Sequence, residues 1–262
     1  MKTFRDFIAE DYGANTPSLD EFKELIEKQC QPFLKLVGGI DNALSDNALY
    51  RGINRPTWES TYKVRKDREP RNSGVALHNA LNDVLVKQTG IKHRSESIFV
   101  TGSKIDAREY GSVHFVFPVG DFQFAYVEDV ADLTRYVWSK NSTNGGELYK
   151  AIDTLFGTQF FEMHKAYPYG WRFPETYDDE KGQKFKKLMG GLDEHLYAGM
   201  DIPSAALTIE SEFPDEILAH NVGQLEFRTD DLLGAIHDMS EIMVECDEYI
   251  AIPFNMVIEE ED

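Results

Sequence analysis

The chain has 262 residues, 42% of them apolar and 28% charged, which is enough to bury a core without staples and too apolar for whole-chain disorder. Its formal net charge of −19 gives a surface that on the whole repels nucleic acid and anionic lipid and aids solubility. Two distant cysteines, Cys30 and Cys246, and seven scattered histidines without HExxH or zinc-type spacing imply no disulfide framework and no metal, although spacing leaves a single bridge open.

The opening MKTFRDFIAEDYG lacks an apolar core of signal-peptide length, and no run approaches membrane-spanning length, so a cytoplasmic location is expected. The first helix is expected at Ser18, where Ser18 and Glu21 make an S-x-x-E capping box. Phe22, Leu25, Ile26, Phe33 and Leu34 follow at helical spacing, and Gly38 and Gly39 stop the helix. Ala48 to Ile53 (ALYRGI) reads as a short strand.

Asn54 to Asn72, broken by Pro56 and Pro70, reads as a long loop. Between Arg51 and Arg71 the chain is net +4, leaving −23 elsewhere. Such a basic island is either an anion site or a solvated loop paired to acidic neighbours. A helix is expected over Val75 to Gln88, closed by Gly90, then a strand over Ser97 to Thr101 and a short helix from Ile105 to Tyr110, ended by Gly111. VHFVFPV and FQFAYV flank Gly120-Asp121 and read as a β-hairpin.

Glu128 to Trp138 is expected to be helical. Residues 141–220 mix helical pieces, near Glu147–Phe156 and Lys181–Tyr197, with aromatic loops, and read as a helical insertion in a single α+β domain spanning 1–262. Thr229 is expected to cap a helix holding Leu232, Leu233 and Ile236. EIMVE and YIAIPF read as strands, and Glu259 to Asp262 as an acidic tail.

Four segments carry candidate chemistry. Arg51, at a strand end before Gly52, offers a planar fork of donors suited to phosphate, beside a glycine that admits close approach of a ligand; a structural ion pair is the plain alternative. Thr101-Gly102-Ser103 puts two hydroxyls at a strand end, to hold a ligand or carboxylate, or with Ser103 as a helix cap. Glu241 precedes a buried strand, where a carboxylate is held rigidly, or serves as edge charge against aggregation. Tyr50, Phe99, Tyr110 and Phe115 are either stacking platforms for a flat ring or core residues.

In this order, LYRG, then the Thr-Gly-Ser strand end with Ala107 and Tyr110 following, then the late E-I-M-V strand, the set resembles the Arg–Ser–Glu signature of ADP-ribosyltransferases. The RGI, VTG, VFPVGDF and EIM…Y segments also resemble bacteriophage proteins. The resemblance implies an antiparallel or mixed sheet core of ADP-ribosyltransferase type, NAD as substrate, no metal, and a host protein or nucleic acid as acceptor. It implies catalytic roles for Glu241 and Arg51, and an NAD site of Tyr50, Arg51, Gly52, Thr101, Gly102, Ser103, Tyr110 and Phe115. Glu248, with Cys246 two residues before it, is the other candidate acid, since Met239 stands two before Glu241. A second functional reading is a non-enzymatic phage protein whose acidic surface occupies a basic site on a host factor of defence or nucleic-acid processing. A third is a member of the fold that keeps the scaffold without the chemistry.

Overall fold

The computed structural model describes residues 17–54, 61–69, 75–140, 147–156 and 214–258. In chain order, helices α1 (Leu19–Gln29), α2 (Gln31–Val37) and α3 (Ile40–Ala43) precede strands β1 (Tyr50–Ile53) and β2 (Tyr62–Lys63). Helices α4 (Val75–Thr89) and α5 (His93–Glu96), strand β3 (Ile98–Val100) and helix α6 (Lys104–Arg108) follow. Strands β4 (Ser112–Pro118) and β5 (Gln123–Tyr126) lead to helices α7 (Leu133–Lys140), α8 (Glu147–Phe156), α9 (Pro214–Gly223) and α10 (Leu232–His237). Strands β6 (Ile242–Glu245) and β7 (Glu248–Pro253) and helix α11 (Phe254–Ile258) complete the order. The fold class is α+β, with antiparallel sheets.

The chain divides into two compact units: Met1–Arg71, Leu85–Leu133 and Glu226–Asp262 form the first, Asn72–Val84 and Thr134–Leu225 the second. In the second, α8 and α9 pack on one another, and Leu148, Tyr149, Ile152, Ile217 and Val222 are buried. The expected helix at Lys181–Tyr197 and the acidic tail lie outside the described residues.

The first unit holds every candidate residue. Its α1 begins with both halves of the Ser18–Glu21 capping box: the Ser18 hydroxyl accepts from the Glu21 N–H, and the Glu21 carboxylate accepts from the Ser18 N–H. The single helix expected from here to Gly38 is two. Pro32 lacks the N–H that a continuous ladder needs, so α1 ends at Cys30 and α2 restarts with proline in its first turn. Gly38 then closes α2 at φ 87°, in the left-handed region.

Two sheets form the body of the unit, one ordered β1-β4-β7-β2 and the other β3-β6-β5. β1 also bridges to the end of β3, where Tyr50 and Thr101 exchange backbone hydrogen bonds of 2.8 and 3.0 Å. The expected β4–β5 hairpin is overturned, because its strands lie in different sheets. Both edges of β4 are already taken, by β1 and by β7. Gly120, at φ 68°, donates its N–H to the Gln29 carbonyl at the end of α1, turning the chain away from a hairpin return. The consecutive strands β6 and β7 are likewise split between the sheets.

Three further expectations shift. The loop after β1 contains the two-residue strand β2, with Tyr62 opposite Tyr249 and Lys63 opposite Glu248. The helix expected from Glu128 starts only at Leu133, since Asp129 adopts φ 58° and breaks the ladder. Asp231, not Thr229, caps α10, its carboxylate accepting from the Gly234 N–H at 2.8 Å. The core is built from Phe22, Ile26, Phe33 and Val37 of α1 and α2 with Phe115, Phe117, Ile242, Val244, Ile250 and Ile252 of the sheets. Phe33 meets Phe117 edge to face at 6.0 Å. Each such large side chain contributes about 1.5–3 kcal/mol by leaving water.

Candidate functional site

The three strands carrying the candidate motifs are immediate neighbours. β1 meets β3 through Tyr50 and Thr101. β3 pairs antiparallel with β6, Phe99 opposite Met243 and Val100 opposite Ile242. Thr101 follows Val100 and Glu241 precedes Ile242, so both flank the same end of that pairing. Residues 51, 101 and 241, remote in sequence, thus share one region of the first unit.

Arg51 is half-buried on β1. Its Nη1 donates to the Phe99 carbonyl at 3.1 Å, and its guanidinium lies 5.9 Å from the centre of the Tyr249 ring. Burial pushes its pKa down, while Tyr249 and Cys246 pull it up. Among the described residues, no carboxylate lies within ion-pair distance of Arg51. The plain alternative, a strand-end ion pair, is therefore not what these residues make.

Glu241 is held at both oxygens. Oε1 accepts from Arg94 Nη1 at 2.9 Å, and Oε2 from the Leu133 N–H at 3.4 Å. The Arg94 side chain is 9% exposed and that of Glu241 16%. Burial pushes the Glu241 carboxyl above the usual range; Arg94, the Leu133 N–H and Arg68 draw it down, and Asp132 pushes it up. The Arg68 and Arg94 guanidinium carbons lie 4.4 and 4.7 Å from the centre of the Phe99 ring, a cation–π arrangement on one aromatic. Phe99 therefore ties the two candidate catalytic residues together: its carbonyl receives Arg51, and its ring carries the arginine that grips Glu241.

Sequence reasoning did not find Arg94. It sits on the one-turn helix α5, and no local pattern announces it. Arg68 was visible only as one charge of the basic island. Two other charges of that island pair with acids: Lys66 with Glu245 and with Asp247, and Arg65 with Asp67.

The other expected residues have mostly architectural roles. A Cβ on Gly52 would fall 2.1 Å from the Ala107 carbonyl oxygen, and one on Gly102 1.9 Å from that of Ile236. Both glycines thus admit close backbone neighbours rather than a ligand. The Thr101 hydroxyl is 3.2 Å from the Met239 carbonyl and accepts from the Ser103 N–H at 3.1 Å. The Ser103 hydroxyl caps α6 through the Asp106 N–H. Neither hydroxyl orients Glu241, against expectation. Phe115 is 1% exposed and stacks on Phe254 at 5.4 Å, which leaves no face for a ligand ring. The Tyr50 ring packs against Phe115 and Phe254. Tyr110 is 51% exposed, and its hydroxyl reaches Asp132 at 3.4 Å. Glu248 lies on β7 opposite Lys63, in the other sheet from β3, so Glu241 is the acid beside the hydroxyl strand.

Cys30 and Cys246 are free thiols, each buried and pushed up to about 12 by that burial. Among the described residues, no group of three His, Cys, Asp or Glu side chains is arranged to hold a metal, and no helix is long and apolar enough to cross a membrane. In comparisons with known proteins, no family model, no curated protein and no solved structure matches this chain.

Proposed function

We propose that this protein is an ADP-ribosyltransferase-like enzyme that binds NAD where β1, β3 and β6 meet and transfers ADP-ribose to a macromolecule of a host cell. The observation that carries this is the adjacency of those three strands, with Arg51 and Glu241 joined through Phe99. Arg51 supplies a guanidinium with no carboxylate partner among the described residues, suited to the dinucleotide's phosphates. Glu241 supplies a fixed carboxylate that accepts a hydrogen bond from a ribose hydroxyl and stabilises the oxocarbenium-like charge as nicotinamide leaves. In this proposal the acceptor attacks the anomeric carbon, the nicotinamide–ribose bond breaks, nicotinamide departs as a neutral molecule, and the acceptor's proton passes to solvent.

Calorimetric titration with NAD, followed by incubation with labelled NAD and host lysate, tests the proposal. Binding, nicotinamide release and label transfer are expected. Glu241→Gln should lower turnover about 100- to 1,000-fold, the usual loss for a well-placed electrostatic stabiliser. Arg51→Ala should weaken NAD binding. Absence of NAD binding, or turnover indifferent to both substitutions, would overturn the assignment.

A further inference from the structure

We infer that Arg94 is the positioning residue of this site, fixing Glu241 as an oriented carboxylate, a task that the strand-end hydroxyls do not perform. The inference rests on the proposed role of Glu241. Its ground is geometric: the two side chains form a nearly buried ion pair at 2.9 Å. Thr101 and Ser103 are engaged with Met239, with the Ser103 N–H and with the start of α6. The Arg94 guanidinium carbon in turn lies 4.7 Å from the centre of the ring of Phe99, the residue whose carbonyl receives Arg51. The single-turn helix α5 thus couples the Glu241 carboxylate to the strand that bears the hydroxyls. A guanidinium fork constrains both distance and direction, which a point charge on a flexible stem does not.

Among the described residues, the groups facing Glu241 are Arg94 from α5, Arg68 from the segment after β2, Asp132 from the segment before α7, and the Leu133 N–H. Removing Arg94 leaves burial and Asp132 acting against Arg68 and one N–H. The carboxyl should therefore protonate at a higher pH.

The test uses the full chain with carbon-13 in its glutamate carboxyls, the Glu241 signal being assigned by its loss in Glu241→Gln. In Arg94→Gln the Glu241 titration midpoint should rise by about 1 to 3 pH units, and Arg94→Lys should restore part of the shift. With NAD, Arg94→Gln should lower kcat about 100-fold with little change in KM, and should carry the acid limb of the pH–rate profile upward with the midpoint. An unmoved midpoint in a folded Arg94→Gln, or in Arg94→Met should the first not fold, would overturn the inference. A midpoint shift in Arg94→Gln together with wild-type protein that cleaves no NAD would instead overturn the functional proposal and leave the Arg94–Glu241 coupling standing.

Discussion

Gly102 and His93 show how neighbours unseen in the sequence decide what a residue does. Gly102 passes so close to the Ile236 carbonyl at the end of α10 that any Cβ forces backbone to move. Gly102→Ala should cost about 1–3 kcal/mol in urea denaturation, the usual range for overpacking, and retained stability would refute the packing described. His93 is 1% exposed; its Nδ1 lies 2.9 Å from the Ser97 hydroxyl, and its Nε2 has no hydrogen-bond partner among the described residues. Burial lowers its pKa from 6.5 to about 4, against a smaller upward pull from Glu245. The unfolded chain therefore binds the proton more readily than the folded one, and stability falls as pH drops from 6.5 toward 4. The interval corresponds to at most about 3 kcal/mol. His93→Gln should lack this component, which parallel denaturation series across that window would measure. The sequence marked Arg51, Glu241 and the hydroxyl strand because each has a distinctive neighbour, although Arg51 lies within β1 and not at its end. It could not mark Arg94, whose partner is 147 positions away and whose own neighbours are ordinary.

Helix boundaries were legible where the signal is local. The Ser18–Glu21 box, Gly38, Gly90 and Gly111 each act within a few residues of themselves, and each stands at the end it marks. Strand partners were not legible, because pairing is decided by which edges are already occupied. VFPVGDFQFAY has the alternation and turn residues of a hairpin, yet β1 and β7 fill both edges of β4 before β5 can return. The caps lend themselves to measurement. Ser18→Ala and Asp231→Ala should each cost about 1 kcal/mol, and the two losses should add, since they release backbone N–H groups on separate helices. Thr229→Ala should have little effect, distinguishing Asp231 as the cap of α10. Equal losses at Thr229 and Asp231 in urea denaturation would contradict that assignment.

Charge acts on the molecule at two depths. The net −19 is a property of the whole chain and works through solvent, so counter-ions screen it. The Arg94–Glu241 pair and the His93 ring are nearly closed to solvent and are screened much less. Exposed pairs such as Arg65–Asp67 weaken as salt rises, but each involves only two charges against the excess of the whole surface. At neutral pH the relief of self-repulsion should therefore win, and the urea midpoint should rise as salt increases from about 10 to about 150 mM. The acid limb set by His93 should persist at both salt concentrations, because burial rather than surface potential depresses its pKa. Denaturation across pH 4–7 at the two salt levels separates these contributions. A midpoint that falls with salt at pH 7 would show that attractive surface pairs outweigh the net charge, and an acid limb abolished by salt would mean that His93 responds to the surface field instead of its buried position.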